Sequence, residues 1–252
     1  MENYNNQQQF ADYTVVGSEK STGAISKRFI ANVFGWMFAG LALSAFFAFL
    51  FATTPSLLQL LINTTDRGVS MTGLGWLVML SPIGFVLLMS FGFNKLSAPA
   101  LVLLFLVYAS ITGISLSFIL LVYTSSSVMG CFATASVMFG IMAVMGYTTN
   151  KDLTSFGSIL RMGVYGIIIA MLINFFLHSS QLDYIISIIG VMVFTGLTAY
   201  DTQALKRIGA GLEYEGTSAA DTKKLSIMGA LKLYLDFINL FLFLLRLFGR
   251  RK

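Results

Sequence analysis

The feature that most constrains this chain is a series of seven apolar stretches, at roughly residues 29–52, 73–93, 99–123, 128–148, 159–178, 183–205 and 227–248. A helix needs about 20 mostly apolar residues to cross the bilayer core, and each stretch meets or nearly meets that length. Inside lipid every backbone polar group must be paired within the protein, so only helices or closed barrels span it. The polar/apolar alternation of barrel strands is absent here. The composition agrees. Hydrophobic residues make up 56% and charged residues 11%, where a soluble domain carries about 25% charged. With a mean hydropathy of +0.80, a typical soluble enzyme and a disordered chain are both excluded. The expected fold is an all-α integral membrane protein, a seven-transmembrane-helix bundle with one domain over 27–252. A flexible polar tail, residues 1–26, precedes it. The tail lacks the apolar core and small-residue cleavage site of a signal peptide.

The breaks between stretches are polar. Pro55 ends the first, and Asn94, Lys95 and Pro99 part the second from the third. Only Thr124 to Ser127 join the third to the fourth, which predicts an antiparallel hairpin. Asn150, Lys151 and Asp152 follow the fourth stretch, and His178 to Asp183 follow the fifth. Between the sixth and seventh lie Lys206, Arg207, Glu213, Glu215, Asp221, Lys223 and Lys224, with Gly209, Gly211 and Gly216. That composition predicts a mobile charged loop.

Lys and Arg concentrate on the cytoplasmic side of membrane proteins. With the N-terminus in the cytoplasm, the inner segments hold Lys20, Lys27, Arg28, Lys95, Lys151, Arg161, Lys206, Arg207, Lys223, Lys224 and Lys232, and the outer loops hold Arg67. Arg246, Arg250, Arg251 and Lys252 oppose this pattern if all seven stretches cross. The alternative is six crossings and one re-entrant segment. The net charge of +5 reflects this loop bias rather than a nucleic-acid partner.

Charges at membrane depth are costly and by default mark function. Of the eleven acidic residues, two fall there: Asp201, near the end of the sixth stretch, and Asp236, inside the seventh. If the sixth helix ends near residue 207 and the seventh begins near 227, the two acids lie about 9 Å and about 13 Å from the same membrane face. Two carboxylates sharing a low-dielectric site cannot readily both ionise, and they titrate as a unit. Such a pair could sense protons or offer oxygens to a hard cation such as Ca2+. The plainer readings are an in-helix ion pair of Lys232 with Asp236, a snorkelling Lys232, and a solvated Asp201 at a helix end. Asn239, three residues after Asp236, lies near the same face.

Other residues carry weaker signals. Ser110, Thr112, Gly113, Ser115 and Ser117 suit close helix packing. Asn174 and Asn239 are read as amides bonding to neighbouring helices, His178 as interfacial, and the single Cys131 as a packing residue. No P-loop, HExxH or GxSxG pattern occurs.

Three segments together make the sequence familiar: Gly146-Tyr147-Thr148-Thr149-Asn150-Lys151-Asp152-Leu153, Gly196-Leu197-Thr198-Ala199-Tyr200-Asp201-Thr202-Gln203, and Leu233-Tyr234-Leu235-Asp236-Phe237-Ile238-Asn239-Leu240-Phe241. With them the chain resembles the Bax inhibitor-1 family, in its bacterial branch, from about residue 27 to the end. The resemblance implies a seven-helix bundle with the last helix central, in a bacterial plasma membrane. It implies a pH-sensitive Ca2+ leak or Ca2+/H+ exchange governed by an aspartate pair matching Asp201 and Asp236, with Ca2+ as transported ion and no resident cofactor. Some members carry an arginine at the cytoplasmic end of the second helix that latches onto the acids. The nearest position here is Lys95, whose point charge lacks the two-pronged guanidinium. Lys95, Lys232 and Asn239 are therefore the expected latch or supporting residues.

Two other functions compete. The bundle could regulate other membrane proteins, such as a protease or stress factor, without transporting anything. It could also be an intramembrane aspartyl protease, since Tyr200-Asp201 fits that context. The GxGD motif of that class is missing, because Leu233, Tyr234 and Leu235 precede Asp236. The expectation is that the protein is not an enzyme.

Overall fold

The computed structural model describes residues 24–65, 68–93, 95–214 and 218–252. Most of the polar tail, Arg67 and Glu215 therefore lie outside the described residues. Seven long helices follow one another: α1 (Ala24–Thr53), α2 (Gly73–Gly92), α3 (Ala98–Val122), α4 (Ser125–Thr148), α5 (Thr154–Leu177), α6 (Ser180–Tyr214) and α7 (Ala219–Phe248). All seven are long and apolar enough to cross a membrane. Between α1 and α2 the chain makes a single helical turn, Pro55–Leu58, and a small hairpin of β1 (Ile62–Thr65) and β2 (Gly68–Met71), with Ile62 opposite Met71.

Local chemistry starts the helices where the polar breaks predict. The hydroxyls of Thr72, Ser97, Thr124 and Ser218 accept hydrogen bonds from the backbone of the first turns of α2, α3, α4 and α7. Pro82 lies inside α2, where its ring leaves the carbonyl four residues earlier unpaired. That carbonyl, of Val78, accepts from the Ser81 hydroxyl at 3.1 Å. His178 ends α5 in the left-handed conformation, φ 51°.

Packing contacts fix the helix directions. On α1 and α3, Gly40 meets Phe105 and Ser44 bonds to Ala109, so the two helices run parallel. Gly229 meets Val33, and Tyr234 bonds to Ser44, so α7 runs parallel to α1. Cys131 touches Leu244 while Phe139 stacks edge-on against Phe237, so α4 opposes α7. Gly190 meets Phe243 while Gly229 meets Leu205, so α6 opposes α7 too. The C-terminus accordingly lies at the end opposite Ala24, as seven crossings require. There Thr124 N donates to Arg250 O at 3.0 Å, Lys252 N to Val122 O at 2.8 Å, and Arg246 pairs with Asp183 at 3.2 Å.

The last helix is the most enclosed. Of its most apolar 18 residues 72% are buried, against 6% to 44% for the other six helices. Exposed large apolar side chains, among them Phe49, Phe91, Phe175 and Phe176, stud the outer helices. In water such a surface would drive aggregation; in a bilayer it is the solvated surface.

Two expectations are corrected here. The charged loop of 206–226 is mostly helix: α6 continues to Tyr214 and α7 starts at Ala219. Lys206 and Arg207 sit on α6, and Asp221, Lys223 and Lys224 on α7. In α6 the helix formers Lys206, Arg207, Ala210 and Leu212 outweigh Gly209 and Gly211, and Ala219 and Ala220 start α7 ahead of the apolar window that hydropathy detects. Ala24, Ile25 and Ser26, read as tail, begin α1.

Candidate functional site

The site is built where α6 and α7 cross near the end that carries the connection between them. Gly146 on α4 comes so close to α6 that a Cβ there would overlap the carbonyl of Ala199. Gly157 on α5 leaves room for the ring of Tyr200 in the same way. These two glycines draw α4 and α5 against the Ala199-Tyr200-Asp201 turn and seal it from lipid.

Asp201 and Asp236 both lie inside, 1% and 4% exposed. Both belong to the α6–α7 crossing, Asp236 one helical turn beyond the Lys232 that reaches Asp201. Lys232 Nζ stands 2.6 Å from Asp201 Oδ1. The plainer reading of an in-helix pair of Lys232 with Asp236 gives way to a pair across helices. Four residues of α7 put Lys232 and Asp236 on one face, and that face meets Asp201. Asp236 Oδ2 is buried without a hydrogen-bond partner. Lys232 contacts Asp201, while Asp236 makes no ion pair among the described residues and so lies buried without a charged partner in contact.

A second cation stands behind the first. Arg161 donates to the Tyr200 hydroxyl at 2.8 Å, and its guanidinium lies 5.4 Å from the Tyr200 ring centre. Lys232 Nζ lies 5.4 Å from the same ring. Tyr200 thereby links the two cations, a contact that suits an aromatic face. Sequence reasoning gave Arg161 only a topological role. Its position within an apolar stretch was the available signal.

A cavity of about 360 Å³ opens onto Asp201 and Lys232, walled by Val86 and Ser90 of α2, Leu205 and Ile208 of α6, and Met228 of α7 among others. It gives Asp201 a route toward the side of α2; Asp236 does not line it. Among the described residues no group of three His, Cys, Asp or Glu side chains gathers to hold a metal ion.

Beside the site, a clasp ties the α4–α5 connection to α6. Gln203 Nε2 donates to Lys151 O at 2.7 Å, and its Oε1 accepts from Leu153 N at 2.9 Å. Arg207 reaches Asp152 at 2.5 Å and Thr154 Oγ1 at 2.7 Å. The Thr154 hydroxyl first, then Arg207, holds the Asp152 carboxyl well below its ordinary range. Two of the three familiar segments meet at this clasp, and the pairing of Gln203 with Lys151 is not readable from either alone.

The remaining expected residues fall elsewhere. Lys95 is exposed and makes no ion pair among the described residues. Asn239 bonds within its own helix, to Leu235 O at 2.8 Å, and Asn174 accepts from Ser179 N at 3.0 Å in the α5–α6 turn. Neither amide bridges helices as expected, because a nearer backbone group satisfies each. A Pro-Ala-Leu tripeptide, expected to be missing, is present at Pro99-Ala100-Leu101, but none of the three residues lines the Asp201 cavity.

Comparison with known proteins follows the same lines. The family model described as Inhibitor of apoptosis-promoting Bax1 matches residues 26–252. The inner membrane protein YbhL of Escherichia coli (strain K12) is 45% identical over 224 residues, 89% of this chain and 92% of the relative. An uncharacterized protein of Borreliella burgdorferi is 41% identical over 234 residues, 93% of this chain and 97% of the relative. One from Rickettsia prowazekii is 38% identical over 239 residues, 95% of this chain and 96% of the relative. A family match over residues 26–252, relatives up to 45% identical over most of their length, and seven membrane-length helices lead to one conclusion: the chain is an integral membrane protein of the Bax inhibitor-1 family.

Proposed function

We propose that the protein is a proton-sensitive Ca2+ leak pathway or exchanger of a bacterial plasma membrane, with its N-terminus in the cytoplasm. Asp201 and Asp236 are its ion- and proton-binding groups. The observation that carries this reading is two acids buried at one helix crossing, Asp201 in contact with the Lys232 ammonium and Asp236 with an oxygen left unpaired. Buried charge of that kind is retained for function, since a bundle of apolar side chains would be easier to fold.

The chemistry is competition. Ca2+ prefers six to eight oxygen ligands, and two carboxylates supply the charged ones, with water and carbonyl oxygens completing the shell. Two acids alone hold the ion weakly, which suits passage rather than storage. Protons compete for the same oxygens, so acid displaces the ion. Lys232 takes the part expected of Lys95: a tethered ammonium on Asp201 that an entering cation must move aside. The face of Tyr200 offers it a second place to rest, and Arg161 holds that ring by its hydroxyl.

The test is reconstitution in liposomes loaded with a Ca2+-sensitive dye, at a series of pH values. Wild-type protein should leak Ca2+ with a defined pH midpoint, and Asp201→Asn should lose the pH response. Equal leakage by both at every pH removes the acids from the pathway. In Asp236→Asn the midpoint should move, because its neighbour loses a charged partner. An unchanged midpoint shows that the two acids do not act together.

A further inference from the structure

A second polar cavity lies at the same end of the bundle, away from the acids. A cleft of about 580 Å³ separates the start of α1 from the first turns of α7. Arg28, Asn32 and Trp36 line one wall and Thr222, Lys223 and Ser226 the other. The α1 residues recur every four positions and so form one face. Arg28 and Lys223 are exposed, and neither makes an ion pair among the described residues. Asp221, the acid nearest this wall in sequence, is engaged at its own helix start, where the Ser218 hydroxyl donates to it at 2.7 Å.

We propose that this cleft binds the headgroup of an anionic phospholipid whose headgroup carries hydroxyls. The depth order of its lining supports an amphipathic ligand. From Arg28 to Trp36 the helix rises about 12 Å, which sets the cations at headgroup level and the indole at the edge of the acyl region. A phosphate diester meets Arg28 and Lys223, and the Asn32 amide can donate to it. The hydroxyls on the other wall do not serve as donors. Ser226 Oγ already donates to Thr222 O at 2.9 Å, and Thr222 Oγ1 to Ser218 O at 3.0 Å. Both retain only acceptor lone pairs, which glycerol hydroxyls can use and a choline headgroup cannot. The two cations likewise give a quaternary ammonium nothing to bind. Free phosphate would engage the upper cleft and leave the indole unused.

Trp36 reports on the site directly. The chain has two tryptophans, so the full-length Trp76→Phe protein leaves Trp36 as its single emitter. In detergent micelles, phosphatidylglycerol with brominated acyl chains should quench Trp36 at concentrations about tenfold below those of the matching phosphatidylcholine. Adding Arg28→Gln and Lys223→Gln should make the two lipids equal. Replacing two other exposed cations of the same end, Lys95→Gln and Lys151→Gln, should leave the preference intact. Equal quenching by the two lipids in the Trp76→Phe protein overturns the proposal, as does a preference that survives the loss of Arg28 and Lys223. A preference lost equally with Lys95 and Lys151 reduces it to bulk surface charge, which also overturns it. If inorganic phosphate at equal concentration abolishes the preference, the cleft is a free-anion site and not a lipid site.

Discussion

The two faces of α7 place polar groups at membrane depth in opposite ways. Tyr234 and Asp236 are two residues apart, so they point to nearly opposite sides of the helix. On the Tyr234 side everything is neutral. Ser44 Oγ and Tyr234 Oη are 2.7 Å apart, and Ser44 also bonds to Ala109 O at 2.7 Å. The rings of Phe105 and Tyr108 stand edge-on to Tyr234 at 6.1 Å and 5.5 Å. On the Asp236 side Asp201 contacts the Lys232 ammonium, and Asp236 keeps an oxygen unpaired. A neutral network whose members satisfy one another locks helices together. An ionic cluster left short of partners is a poor lock and a ready binding site. The hydroxyl face holds α1, α3 and α7 as a frame, and the carboxylate face does the chemistry against it.

This contrast predicts that stability and transport separate by face. The largest loss of stability should come from Tyr234→Ala, which removes a fully buried ring and should cost about 3–5 kcal/mol. Tyr234→Phe keeps the ring and loses one hydrogen bond, about 1 kcal/mol. Thermal unfolding in detergent measures both, and ion flux by the Phe variant should match wild type. On the other face, Asp236→Asn should lower Ca2+ flux several-fold and move its pH midpoint while the unfolding temperature stays the same or rises. If it instead unfolds the protein, the two faces do not differ in role. Lys232→Met should change flux several-fold and leave folding intact, with Lys232→Arg closer to wild type, because Lys232 is half-exposed and its partner is the buried Asp201.

The smallest effect belongs to the clasp. Asp152 is exposed, and its carboxyl is held low by Thr154 and Arg207. A lowered acid contributes stability above its unfolded value of about 3.9 and loses that contribution as the pH falls toward its folded value. The small difference in unfolding temperature between wild type and Asp152→Asn should thus be constant from about pH 5 upward and shrink only below about pH 4. A difference that instead tracks the pH midpoint of flux would tie the clasp to the acid pair.

Much of this was legible in the residues. Hydropathy located all seven helices, and the rarity of charge at depth singled out Asp201 and Asp236. Hydropathy also misled, ending α6 early because Lys206 and Arg207 look like loop although they continue a helix. The partner of Lys232 was not legible, since sequence spacing offers Asp236 on the same helix and cannot weigh Asp201 on the next. Tyr200, Arg161 and Gln203 escaped for the same reason. Each acts through a contact 32 to 52 residues away along the chain.

The sequence by itself determined that this chain lives in a bilayer, where its seven apolar stretches lie, and that two acids must be sheltered there. Those facts follow from local length and from the energy of burying charge, both additive along a chain. Which cation meets which acid, which face of the last helix stays neutral, and where the polar clefts open were decided by tertiary packing. Glycines such as Gly146 and Gly157 let particular backbones and rings approach, and that choice of neighbour is a property of the assembled bundle rather than of any one segment.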